Sequence, residues 1–290
     1  MMNSRRTFLK QAGLAAGAAL LIPSFAFDKA TKNVGLQLYS LRDELPKDVK
    51  GVIEKVAQAG YKEVETYGFS NGKFWGLTPK EFKALLDANG LKAPSGHYHM
   101  DDFVKTGKTE RLKADIESSA AIGGKYFTIA GASVDTSKGA DGFKKTANDF
   151  NKVAEIAKAS GLKFAYHNHD FEFKKLGDTT GYDVYLTETD KNLVNFELDL
   201  YWAVRSGNDP LALFKKYPGR FPMWHVKDMD KTKPEWNTEV GKGSIDFKAI
   251  FAQAKLSGMQ HFFVEHETNY QPNPIGSIKT SCDYIKANLI

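Results

Sequence analysis

Histidines and carboxylates recur in this chain as pairs two residues apart. The runs are His97-Tyr98-His99, His167-Asn168-His169-Asp170, Glu197-Leu198-Asp199, His225-Val226-Lys227-Asp228 and Glu265-His266-Glu267, and six of the seven histidines fall in them. On an extended strand every second side chain points the same way, so His167 with His169, His225 with Lys227, and Glu265 with Glu267 can each face one cavity. If consecutive strands bring these runs together, His167, Asp199, His225 and Glu265 converge. Such mixed imidazole and carboxylate donors suit one divalent ion, Mn, Zn or Co rather than Ca, with Mg also compatible. Any one of these residues alone would be read as a loop cap or a salt-bridge partner; the coincidence on four strands sets the group apart.

Around that group stand candidates for the chemistry itself. Glu265, His167 and His169 are candidate bases, and Lys227 is placed to polarise a carbonyl or stabilise an enolate. Glu65, His97, His99, Glu172, Trp202 and Trp236 are candidate substrate-binding residues, the two tryptophans because an aromatic face can stack on a sugar ring. Trp75 and Trp224 read as packing. The sequence leaves open whether Glu197 faces the site or a helix.

The elements that must position these residues alternate regularly. Strands are expected at Val34 to Tyr39, Glu63 to Tyr67, Ala93 to Tyr98, Tyr126 to Ala130, Phe164 to His167, Val194 to Leu198, Met223 to Val226 and Phe262 to Glu265. Helical periodicity fills the gaps, as in Val49 to Ala59 and Phe150 to Ala159. Gly60, Gly90, Gly124, Gly161 and Gly258 each stand between a helical stretch and a strand, where a left-handed residue ends a helix. Eight strand–helix repeats predict a single α/β domain, a (β/α)8 TIM barrel, whose active site lies at the C-terminal ends of the strands. Tyr39-Ser40-Leu41-Arg42 follows the first strand where a dinucleotide fold would carry a glycine-rich turn.

The first 26 residues differ from the rest. Ser4-Arg5-Arg6-Thr7-Phe8-Leu9-Lys10, an Ala/Gly/Leu stretch and Ser24-Phe25-Ala26 follow the order of a twin-arginine signal peptide. The expectation is a leader over 1–26, a barrel over 27–290, and a periplasmic or otherwise exported product with no membrane segment after cleavage. Removing the leader takes the formal charge from +5 to +2, a balance that argues against nucleic acid as partner. The single Cys282 can form no internal disulfide and reads as a small buried residue.

Phe196-Glu197-Leu198-Asp199-Leu200-Tyr201-Trp202-Ala203, Gly207-Asn208-Asp209-Pro210, His225-Val226-Lys227-Asp228, Glu239-Val240-Gly241-Lys242-Gly243 and Phe263-Val264-Glu265 together resemble the xylose isomerase-like superfamily of sugar phosphate isomerases and epimerases. The resemblance covers essentially all of the chain after the leader. It implies a metal-dependent TIM barrel in which Asp199, His225 and Glu265 are metal ligands. Where ketose 3-epimerases of that superfamily have a glutamate on the fifth strand, this chain has His167. The His167-Asn168-His169 run is more similar to inosose dehydratases and to relatives that cleave 3-keto-glycosides by β-elimination.

The resemblance implies a small-molecule sugar substrate and proton abstraction beside its carbonyl through an enediolate. Reprotonation makes the enzyme an isomerase or epimerase, the primary reading; loss of a β-oxygen makes it a lyase or dehydratase. Two other classes compete. Abasic-site endonucleases of the superfamily would require a zinc cluster, and a non-catalytic sugar-binding protein would lack turnover. Whether copies associate into a homo-oligomer is left open by the sequence.

Overall fold

The computed structural model describes residues 33–290, so the expected leader and its cleavage site lie outside the described residues. Eight parallel strands, β1 Gly35–Gln37, β2 Glu63–Thr66, β3 Lys92–Tyr98, β4 Tyr126–Ala130, β5 Lys163–His167, β6 Val194–Asp199, β7 Met223–Val226 and β8 His261–Val264, pair in chain order. The last pairs back onto the first, Gly35 with Phe263 and Leu36 with Val264, closing the expected barrel. A side chain at Gly35 would put its first carbon 2.6 Å from the carbonyl oxygen of Phe262, so the closure depends on glycine there.

Helices α1 Val49–Gln58, α2 Pro79–Ala88, α3 Asp101–Thr106, α4 Glu110–Ala121, α5 Ala140–Ala159, α6 Gly181–Glu188, α7 Leu200–Arg205, α8 Pro210–Lys216, α9 Phe247–Phe251, α10 Ala254–Ser257 and α11 Pro274–Asn288 fill the returns. Local chemistry sets their starts. Thr78 and Glu81 form a reciprocal capping box ahead of α2, with Pro79 in its first turn, and Asp199 caps α7 by accepting from the Trp202 amide. Val52, Ile53 and Val56 of α1, and Phe82 and Leu86 of α2, are buried at helical spacing. Trp224 packs on the outside of β7, stacked on Phe214 at 5.2 Å, and Cys282 is buried on α11.

Three expectations are corrected. β1 ends at Gln37 because its side chain accepts from the Tyr39 amide and turns Leu38–Leu41 into a 3-10 helix. Phe150 to Ala159 is the second half of a 20-residue helix. After α4 the left-handed glycine is Gly123, at φ 88°, while Gly124 is required by a close approach, a β-carbon there falling 2.7 Å from the Ser119 carbonyl oxygen.

Register decides what faces inward. Residues paired across parallel strands share a face, and His167 pairs with Glu197, Asp199 with His225, Gln37 with Glu65, and Glu65 with Ser95. Low in the barrel Tyr126, Ala165, Met223 and Phe263 form one buried apolar cluster beside a buried Glu63–His261 pair at 2.7 Å. Above them the interior is ionisable.

Candidate metal centre and active site

The upper layer of the interior holds the ends of β6, β7 and β8. His225 Nδ1 lies 3.1 Å from Glu265 Oε2 and 3.9 Å from Asp199 Oδ2, and His167 Nε2 approaches the same Asp199 oxygen at 3.9 Å. All four residues are buried. Asp199 divides its work: Oδ1 caps α7, while Oδ2 has no hydrogen-bond partner among the described residues. Its charge partner is the Lys227 ammonium at 3.4 Å, and a divalent cation would satisfy the lone pairs that remain. Asp199, His225 and Glu265 present one ligand atom each within 4.8 Å of one another. Nitrogen and carboxylate donors at this spacing could hold a divalent ion, and His97, His167, Glu197 and His225 form a second group of possible donors one layer lower.

Lys227 reaches into the same layer. Its Nζ lies 2.7 Å from Glu265 Oε2, 3.0 Å from Glu267 Oε2 and 3.4 Å from Asp199 Oδ2. Burial disfavours its charge, but Glu265, Asp199 and Glu267 together outweigh burial and raise its pKa well above the ordinary lysine value. In turn Lys227 and His225 hold Glu265 well below the usual carboxylate range, against the effect of burial. The site is therefore an ion-paired cluster rather than a set of neutral groups.

Beneath it lies a second layer. Glu65 Oε2 is 2.6 Å from His225 Nε2, 3.0 Å from His97 Nε2 and 2.7 Å from the Gln37 amide nitrogen, while Ser95 donates to Oε1 at 2.5 Å. Glu197 Oε2 is 2.9 Å from His97 Nε2, 3.2 Å from His167 Nδ1 and 3.3 Å from His225 Nε2. Burial and then the neighbouring Glu65 push Glu197 up to about 7. His97 is raised to about 9 because Glu65 and Glu197 outweigh its burial. Burial, followed by repulsion from His225 and His97, depresses His167 well below the ordinary value.

At the mouth, His169 is half-buried, 5.0 Å from the His167 ring and 5.9 Å from the Trp202 ring, and burial lowers its pKa. Lys227 Nζ lies 5.6 Å from the same Trp202 ring. Trp202 thus forms a wall shared by a neutral imidazole and an ammonium.

The sequence candidates divide accordingly. His167, His169, Asp199, His225, Lys227, Glu265 and Trp202 come together. Glu65 is completely enclosed below Asp199 and Glu265, whereas His97 is partly exposed, bridging Glu65 and Glu197 and reaching a side cleft. His99 is exposed on a side cleft of about 250 Å3 that it shares with His97, Phe69 and Arg111. Glu172 is buried on the outer side of β5, accepting from Tyr166 Oη at 2.6 Å and the His169 amide at 3.0 Å; it anchors the His169 loop. Its misplacement follows from Tyr166, which faces away from the interior and draws Glu172 with it. Trp236 is 39% exposed, its ring under the Lys233 ammonium at 3.8 Å. Glu197, whose direction the sequence left open, faces the interior, and Gln37 was not foreseen as a site residue. Alternation with Asp199 was the available signal for Glu197, whereas nothing local marked Gln37.

Comparison with known proteins follows this geometry. The sequence profile of the xylose isomerase-like TIM barrel family matches residues 53–288. An inosose dehydratase of Lacticaseibacillus casei is 26% identical over 256 residues, 76% of this chain and 83% of that protein. The structure of a sugar phosphate isomerase/epimerase from Parabacteroides distasonis superposes with a TM-score of 0.79 at 30% identity, over 89% of this chain and 99% of that one. The IolI protein with a bound zinc atom shares the fold at a TM-score of 0.70 and 14% identity, over 89% and 99% of the two chains.

Proposed function

This chain belongs to the xylose isomerase-like TIM barrel family, and from that premise we propose that it is a divalent-metal-dependent lyase acting on a keto-sugar or 3-keto-glycoside by β-elimination. The observation that carries the reading is the pairing of His169 with Lys227 against Trp202. Burial favours a neutral imidazole at His169, while three carboxylates favour the ammonium at Lys227. Two titratable groups whose environments drive them apart divide the roles of base and acid. His169 removes the proton beside the carbonyl; the electron pair forms the new carbon–carbon double bond as the β-oxygen departs; Lys227 returns a proton to that oxygen.

Asp199, His225, Glu265 and His167 would hold the ion, Mn, Zn or Co by their donor chemistry. A bound divalent ion polarises vicinal oxygens and acidifies the carbon beside the carbonyl. The dehydratase named among the relatives supports elimination, and the zinc named for IolI supports a divalent centre. The Parabacteroides relative favours a second reading, epimerisation, in which His169 takes the proton and a second acid on the opposite face of the substrate reprotonates the carbon.

NMR in D2O of metal-reconstituted protein with keto-sugars and 3-keto-glycosides tests the proposal, with His169→Ala as control. An enone together with released alcohol or water is the expected result. Deuterium incorporation with the skeleton intact would replace the lyase reading by the epimerase one. Absence of both from the metal-loaded protein would count against enzyme chemistry on these substrates.

A further inference from the structure

The side cleft beside His97 has chemistry of its own, apart from the ion-paired cluster. Phe69 and Ser70 from the loop after β2, His99 from the loop after β3, and Arg111 and Asp115 of α4 line its 250 Å3 or so. A second hollow of about 360 Å3, bordered by Asp101, Asp102 and Lys105, adjoins it, and the two share His99 and Arg111. His97 links the cleft to the reaction centre, for it lines the cleft and its ring lies 5.2 Å from that of His225. We propose that this cleft is a subsite for an uncharged, hydroxyl-rich second ring, so that the substrate is a glycoside of at least two rings and not a free keto-sugar or a sugar phosphate. The proposal rests on the lyase reading above and deepens it by naming the substrate class.

Asp115 is the clearest sign of a missing hydrogen-bond donor. Its side chain is only 14% exposed, and its cation partner, Arg111 Nε, stands 4.0 Å away, beyond hydrogen-bond length. Burial raises it to about 6, with Arg111 pulling the other way and no hydrogen bond contributing. At neutral pH it is therefore an ionised, largely enclosed carboxylate with lone pairs to fill, and ring hydroxyls are donors of the right kind. Arg111 is held in place by Asp102, Nη1 to Oδ2 at 3.1 Å, and its planar guanidinium carries further donors for ring oxygens. Phe69, half-buried and packed on Phe74 at 4.7 Å, offers an aromatic surface for the apolar face of a sugar.

Charge decides against a phosphate. Asp101, Asp102 and Asp115 outnumber Arg111 and Lys105 around the two hollows, and Asp102 already neutralises Arg111, so an anion would meet repulsion. The volumes suit a small cyclic ligand, since pockets for such molecules span roughly 300–1,000 Å3.

The test compares two 3-keto-glycosides on the metal-reconstituted protein, a methyl glycoside and the corresponding glucosyl disaccharide. A hydrogen bond to a charged group is worth roughly 10–100-fold, and energy from a remote ring is realised at the reacting centre, so kcat/KM is expected to be at least about 10-fold higher for the disaccharide. Asp115→Leu keeps the shape and removes the acceptors, and it is expected to narrow that ratio about 10-fold. Phe69→Leu should narrow it too. Amide 1H–15N spectra give a reading without turnover or substitution: the unoxidised glucosyl disaccharide is expected to shift the signals of Phe69, His99 and Arg111. Equal kcat/KM for the two glycosides, or a ratio that neither substitution moves, would overturn the subsite while elimination itself stood. Shifts produced by inorganic phosphate and not by the disaccharide would overturn the uncharged ring. Shifts with the disaccharide but no elimination from either glycoside would support the subsite and sink the lyase reading, and the absence of both would remove the two together.

Discussion

The ammonium of Lys227 lies 2.7 Å from Glu265 Oε2 at the centre of the barrel mouth, with both side chains buried. This ion pair joins the candidate acid of the proposed reaction to a candidate metal ligand. It gives the lysine two roles that can be separated: counter-ion for the carboxylates, and proton donor to the leaving oxygen.

Lys227→Met should expose that division. Removing one member of a buried ion pair leaves uncompensated charge and costs about 3–5 kcal/mol. Thermal unfolding should show the larger loss in metal-free protein and a partial recovery on adding Mn(II), because the ion replaces the lost positive charge. Turnover of the metal-loaded variant should still fall about 100-fold or more. Equal destabilisation with and without metal would separate Lys227 from the metal centre.

Asp199→Asn separates ligation from folding. Asparagine is as good a helix cap as aspartate, so α7 should survive, and the cost to metal-free stability should come from losing the buried charge beside Lys227. Metal affinity should fall by at least the roughly 10–100-fold seen for outer-layer changes. Calorimetric titration beside chemical denaturation checks both, and unchanged affinity would remove Asp199 from the ligand set.

Glu172 supplies a pH dependence away from the ligands. Burial raises it to about 7, partly offset by donation from Tyr166 and by the His169 amide. Between its unfolded value and about 7 the folded protein binds more protons than the unfolded chain, so this residue makes stability fall as pH rises through that interval. The integrated effect is on the order of 3 kcal/mol by pH 8. Glutamine imitates the protonated acid, its oxygen accepting from the His169 amide and its nitrogen donating to Tyr166. Denaturation of Glu172→Gln from pH 5 to 8 should therefore be flatter than wild type, whereas parallel curves would show that Glu172 is not the titrating group.

Export through the twin-arginine pathway remains a proposal from the leader sequence. Replacing both Arg5 and Arg6 by lysine should hold the chain in the cytoplasm, read by fractionation of expressing cells. A periplasmic product with the wild-type processed N-terminus in that variant would point to another route.

The sequence by itself determined the number and order of the barrel strands, because the alternation of apolar strands and amphipathic helices is a local pattern. It also marked His167, His169, Asp199, His225, Lys227 and Glu265, since two-residue spacing on a strand sends both members of a pair to one face. Tertiary structure decided the rest. Glu197 faces inward because β5 and β6 register it with His167, and register is a relation between strands that neither strand encodes alone. Glu65 and His97, candidate substrate-binding residues in the sequence, are placed one layer deeper than Asp199 and Glu265 only by closure of the barrel. Glu172 stands close to His169 in sequence yet on the far side of β5, because Tyr166 points outward and binds it there. Local periodicity assigns a face to a side chain; only closure of the barrel assigns its depth and its neighbours, and those fix whether it holds an ion, meets a substrate or braces a ring.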